Sequence, residues 1–181
     1  MKKILIIFIL FLSTTTLSAN DRNLELDKLF LELKKNIPSL SSRIAQQIWT
    51  LWSTHPTDQK LTSILDEGSR LVQDRQLNRA IDVFTEAIEL DPKWAEAWNK
   101  RATVLFFLGE FERAKLDIAK TLELENNHFG ALAGLGMVEI HLGNPKAALR
   151  AYRRATLINP HLQDVKQAIL RLEKELKGLP T

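Results

Sequence analysis

Histidines, carboxylates and closely spaced glycines are the residues of this chain with chemistry to offer, and their spacing argues against each use in turn. The four histidines, His55, His128, His141 and His161, include no H-x3-H pair and no carboxylate–histidine zinc motif, so no metal centre is expected. Turn or surface positions account for all four. Gly130, Gly134 and Gly136 have the composition of a phosphate-cradling loop, but no strand pattern precedes them and no lysine stands where such a loop needs one. There is no G-x-S-x-G motif to mark a nucleophile. Carboxylates are abundant, as in Asp66-Glu67 or Glu110 with Glu112, at positions expected to be solvated helix faces; Glu96 and Lys100, four residues apart, make one supporting pair. Cysteine is absent, which removes disulfides, a thiol nucleophile and cysteine-bound metal. The sequence therefore predicts a protein that is not an enzyme and that has no cofactor or metal site.

What organises the chain is a repeat. Ala80, Ala114 and Ala148 stand 34 residues apart, as do Gly68, Ala102 and Gly136, and again Phe84, Ile118 and Tyr152. Pro92 and Pro160 lie two periods apart with Asn126 midway, and Leu108-Gly109 recurs as Leu142-Gly143. A fixed period of this length indicates stacked copies of one supersecondary unit. Each period holds two helical stripes. In the middle copy Trp98, Ala102 and Leu105 follow i, i+4, i+7 spacing. Gly109 is placed to end that helix with a positive φ, and Ala114, Ile118, Thr121 and Leu122 mark the second. Ile64, Gly68 and Leu71 followed by Ala80, Phe84 and Ala87 give the earlier copy; Leu132, Leu135 and Gly136 followed by Ala148, Tyr152 and Ala155 give the later one. Asp91-Pro92 and Asn159-Pro160 stop one unit before the next begins. The small residues let paired helices approach closely.

This pattern resembles the tetratricopeptide repeat (TPR) family, whose copies read W-x2-L-G-x2-Y, then A-x3-F, A and P. Three copies fall at residues 61–94, 95–128 and 129–162. Departures are local: Glu67 and Arg101 replace the leucine, Glu139 the tyrosine, Thr121 a small residue and Asn126 the proline. The resemblance implies an all-α fold, a right-handed superhelical stack of helix-turn-helix hairpins with helical caps. It places Trp98 at the core aromatic position and leaves Trp94 near a turn, partly exposed.

The flanks are expected to cap the stack. Residues 20–60 carry two apolar stripes, Leu26, Leu29, Phe30, Leu33 and Ile37, then Ile44, Ile48, Leu51 and Trp52. They suggest a degenerate fourth hairpin, closed against the first repeat by Trp49 and Trp52. Residues 163–181 supply a capping helix and tail, with Val165, Ile169, Leu172 and Leu176 on one face.

Residues 1–19 have the three parts of a cleavable signal peptide: basic Met1-Lys2-Lys3, apolar Ile4 to Leu12, and a small-residue site ending at Ala19. The apolar run spans about 14 Å as a helix, half of a bilayer core of about 30 Å, so no stable membrane span is expected after cleavage. A periplasmic or secreted location follows. The net charge of +3 rests on 25 basic against 22 acidic residues, and loss of Lys2 and Lys3 would bring the chain close to neutrality. No clustered basic face favours nucleic acid.

In the family the first helix of each repeat lines a concave groove. Carried onto this chain, the groove positions are Leu65, Ser69, Val72 and Gln73; Asn99, Thr103, Phe106 and Phe107; and Ala133, Met137, Ile140 and His141, with Lys100 as a polar neighbour. Phe106, Phe107, Met137 and Ile140 would form an apolar patch suited to an amphipathic helix or extended peptide. The Lys and Asn pattern with which chaperone-binding members clamp acidic tails is not matched. Two readings stand: an exported, non-enzymatic module that holds a peptide or helix of an envelope protein in this groove, or a self-associating or envelope-associated scaffold without a discrete peptide site.

Overall fold

The computed structural model describes residues 19–178; the signal-peptide expectation falls on residues that lie almost wholly outside them. All regular elements among the described residues are helices: α1 (Ala19–Lys34), α2 (Pro38–Ser53), α3 (Gln59–Gln73), α4 (Leu77–Leu90), α5 (Ala95–Phe107), α6 (Phe111–Leu124), α7 (Phe129–His141), α8 (Pro145–Ile158) and α9 (Gln163–Leu176). The pairs α3–α4, α5–α6 and α7–α8 are antiparallel hairpins stacked in chain order, and α9 covers α8. The fold is an all-α stack of repeats.

Each hairpin turns by the same local device. The carbonyls of Leu71, Leu105 and Glu139 accept from the amides of Gln76, Glu110 and Asn144 at 2.8, 2.9 and 2.8 Å. Between them sits one left-handed residue, Arg75 (φ 60°), Gly109 (φ 77°) or Gly143 (φ 74°). This six-to-one bond closes a helix end by satisfying a carbonyl that has no partner within the helix. Helix starts are equally local. Asp58 accepts from the Lys60 amide, His128 accepts from the Ala131 amide, and Pro38 and Pro145 occupy first-turn positions where a missing N–H costs nothing.

The small residues do what their spacing implies. A methyl group on Gly68 would stand 2.4 Å from the Phe84 ring, and one on Gly136 would stand 2.3 Å from Tyr152. Ala102 packs in one cluster with Ile118. Glu67 is exposed to solvent, whereas the buried or half-buried polar departures from the repeat pattern are answered by partners. Arg101 grips buried Asp117 with Nε and Nη2 at 2.7 and 2.9 Å and donates from Nη1 to Thr85 Oγ1 at 3.1 Å. Thr121, fully buried, donates to the Asp117 carbonyl. Glu139 accepts from Lys115 at 2.7 Å and Asn144 at 2.9 Å. Burial pushes the Glu139 carboxyl up, but those two bonds and the charges of Lys115 and Arg150 outweigh it, holding the group below its ordinary value.

Two sequence-based expectations are overturned. The α1–α2 hairpin does not close against the first repeat. Its Leu26, Phe30, Leu33, Ile44, Ile48 and Trp52 share a core with Phe129 and Leu132 of α7 and Ala155 and Ile158 of α8, so it folds across the array onto the third repeat. Trp94 and Trp98, which straddle the start of the second repeat, also exchange roles. Trp94 is buried, its indole N–H donating 2.8 Å to the Trp52 carbonyl. Trp98 is half-buried; its N–H bonds the Pro92 carbonyl and the Arg101 guanidinium lies 5.0 Å from its ring centroid. An indole N–H must find an acceptor before it can be buried, and the docked hairpin supplies Trp94 with one. At the C-terminus, Val165, Ile169 and Leu172 pack on α8, whereas Leu176 stays exposed.

Candidate functional site, an apolar cleft between two first helices

Side chains of α5 and α7 that face neither their own second helix nor the docked hairpin leave a cleft of about 300 Å³, at the lower end of ligand-sized pockets. From α5 come Asn99, Ala102, Thr103, Phe106 and Phe107; from α7 come Gly130, Ala133, Gly134, Met137 and Val138; Ile118 closes the base. The α7 set follows the spacing of one helix face, and small residues make it the floor. No charged side chain lines the cleft.

Of the groove residues expected from the sequence, Asn99, Thr103, Phe106, Phe107 and Met137 come together here, with Ala133. Phe107 is 57% exposed and Met137 43%, so two apolar side chains flank the opening. Phe106 is half-buried, its ring centroid 5.6 Å from Phe111 and 5.2 Å from His141. His141 lies outside the cleft, stacked on Phe111 at 4.5 Å, and Ile140 is exposed beside it. Lys100 points elsewhere, with Nζ 3.5 Å from Glu96. Leu65 is a correction: it is 1% exposed and packs with Ala97 and Val104 of α5, so it is core between repeats and lines no groove. Val72 is half-buried against the same core.

Behind the cleft runs a buried polar chain that the sequence did not reveal. His128 Nδ1 accepts from the Ala131 amide at 3.0 Å, which leaves Nε2 as the protonated nitrogen. That nitrogen meets Glu96 Oε2 at 2.9 Å, and the same oxygen accepts from Asn99 Nδ2 at 3.0 Å. A carboxylate can only accept, so the direction of every bond, and the orientation of the Asn99 amide, is fixed by chemistry. Glu96 is buried, with its second oxygen unbonded but near Lys100. The Trp52 ring of the docked hairpin stacks on His128 with centroids 3.9 Å apart. The only sequence signal was the Glu96 to Lys100 spacing, which suggested a surface pair.

Among the described residues no group of His, Asp and Glu could hold a metal ion, and no helix is long and apolar enough to cross a membrane. The hydrogen bonds of the buried Glu96–His128 pair run to Asn99 and to the Ala131 amide, tying the start of α5 to the start of α7. The stacked hairpins and the neutral cleft thus define a helical-repeat protein whose surface suits binding.

Comparison with known proteins agrees. The tetratricopeptide repeat model matches residues 95–128 and 129–162. A TPR repeat-containing protein of Rhizobium etli is 31% identical over 154 residues, which is 84% of this chain and 75% of that protein. Sperm-associated antigen 1 of Rattus norvegicus is 30% identical over 58% of this chain, though the match spans 12% of that protein. The first TPR of Spaghetti (RPAP3), solved with the HSP90 peptide SRMEEVD, superposes with a TM-score of 0.64 at 21% identity, covering 66% of this chain and 94% of its own. This chain belongs to the tetratricopeptide repeat family, whose members are in general non-enzymatic protein-interaction modules.

Proposed function

We propose that the α5–α7 cleft binds an apolar peptide or helical segment of an envelope protein, and that the chain acts in the periplasm or after secretion. The location rests on the three-part pattern of residues 1–19. The observation that carries the binding reading is the pairing of exposed Phe107 and Met137 with a small-residue floor. Apolar side chains left at the mouth of a concave site gain most by burial against a partner. The structural neighbour holds a peptide rich in acidic residues, but this cleft offers no cation to meet such a ligand. A neutral, apolar segment fits it better.

The test is recovery of partners from the native envelope fraction with wild type beside Phe107→Ser/Met137→Ser. Both substitutions are at exposed positions and leave Phe106 on Phe111. A partner held by wild type and lost by the variant is the expected result. Equal recovery would move binding to the convex face or the termini. Mass that rises with protein concentration and persists in the variant would favour a self-associating scaffold.

A further inference from the structure

We infer that the vacant part of the α5–α7 groove is a seat for one tryptophan side chain of the partner, an inference that rests on the proposed use of that cleft. The groove already holds one indole. Trp49 of α2 stands over Gly130, so close that a methyl group there would lie 2.5 Å from the ring. Its neighbours are the edges of His128 and Phe129, at 5.4 and 5.6 Å between centroids. One helical turn along, Gly134 repeats the arrangement with nothing upon it: the nearest atom to a methyl group placed there is Ile118 Cδ1, at 3.7 Å. A ring laid over Gly134 would meet Phe106, Phe107 and the sulfur-bearing side chain of Met137, which flank the same cleft. Aromatic edges and a thioether are favourable neighbours for an aromatic face.

A second observation selects indole over phenyl. Asn99 lines this cleft and is only 8% exposed. Its Nδ2 is committed to Glu96, and among the described residues no donor reaches its Oδ1. That oxygen is not one of the buried polar atoms left unpaired; it is an open acceptor, at which a donor from the ligand can take the place of water. The Nε1–H of tryptophan is a donor and nothing else. The docked hairpin uses this pairing close by: Trp94 Nε1 donates to a carbonyl at 2.8 Å, and Trp52 Nε1 reaches Glu125 at 3.4 Å. The absence of charged lining residues requires the segment around the tryptophan to be neutral. Because α2 occupies the adjoining stretch of groove, that segment must enter from the Phe107 and Met137 side.

The experiment titrates the 15N-labelled full chain with three neutral, end-capped decapeptides of alanine and glutamine that differ at one central residue: tryptophan, 1-methyltryptophan or leucine. The tryptophan peptide is expected to shift the amides of Thr103, Phe107, Gly134 and Met137. The methylated indole should bind about fivefold more weakly for the lost hydrogen bond, and leucine should be weaker still. Gly134→Leu fills the seat and should abolish the shifts while the spectrum stays dispersed; Gly134→Ala, with an ordinary 3.7 Å contact, should weaken binding without disturbing the fold. Equal affinity for tryptophan and leucine peptides at these amides would overturn the indole seat while leaving the cleft as a binding site. Shifts confined to other helices, or none at millimolar peptide, would overturn the seat as well. In that case the envelope-fraction comparison with Phe107→Ser/Met137→Ser decides whether the cleft reading falls with it.

Discussion

Arginine at position 101, where the repeat pattern has leucine, shows how one polar residue is accommodated inside a packed array. Its guanidinium forks onto Asp117, whose side chain is 7% exposed, and reaches back to Thr85 of the preceding repeat. Neither member is tolerable alone at this depth. Replacing Arg101 by leucine leaves a buried carboxylate without its counter-charge, an arrangement that costs about 3–5 kcal/mol. Asp117→Ala leaves the guanidinium with a hydroxyl and an indole face. The double change, Arg101→Leu/Asp117→Ala, restores an apolar contact and is expected to be more stable than Arg101→Leu alone. Urea unfolding of the four proteins gives the coupling energy. Strict additivity would mean that the pair is incidental to stability.

At the scale of the helix and its turn, the three six-to-one closures are equivalent in geometry but not in sequence. Gly109 and Gly143 take positive φ freely, while Arg75 at φ 60° does so with a side chain. A non-glycine residue in that region costs about 1–2 kcal/mol, and Arg75 is exposed, so its side chain recovers nothing by burial. Arg75→Gly should therefore raise the thermal midpoint, with a gain of about 1 kcal/mol; an unchanged or lower midpoint would show that the side chain contributes what the backbone loses. Elements of this kind are legible in sequence because short-range bonds make them. The 34-residue register placed the paired helices and the small residues beneath Phe84 and Tyr152. The cleft residues Asn99, Thr103, Phe107 and Met137 come instead from the family resemblance, which says that first helices line the groove; the register only carries that side of the helix onto these positions. Leu65 shares that side in the first repeat yet is sealed by Ala97 and Val104 of α5. Periodicity gives a direction, and contact with the next repeat decides whether that direction is open. Glu96 and His128 stand 32 residues apart, nearly one full repeat, so their bond forms only once two repeats are stacked.

Across the whole molecule the least legible feature is the path of the α1–α2 hairpin. An apolar stripe states that a helix face will be buried, not against what, and stacking on the first repeat was the simplest continuation of the array. The winning alternative offers more. On the third repeat the hairpin buries six large apolar side chains against Phe129, Leu132, Ala155 and Ile158, seats Trp49 on Gly130 and lays Trp52 on His128. It thereby fills part of the groove and sets the length of cleft left open. Trp52 is the hinge of that arrangement, in contact with Phe30, Trp49, His128 and Phe129 together. Trp52→Ala should cost about 3–5 kcal/mol, and the loss should be local. The first repeat contributes no member to this core, whereas α3, α4 and α5 keep their own. Hydrogen exchange is expected to quicken in α1, α2 and the first turn of α7, while α3 and α4 keep their protection. The freed groove would then expose Phe129 and Leu132 alongside Phe107 and Met137, lengthening the apolar surface offered to a partner. Uniform loss of protection from α1 to α9 would instead make hairpin and repeats one cooperative unit, in which the groove cannot open without unfolding the stack.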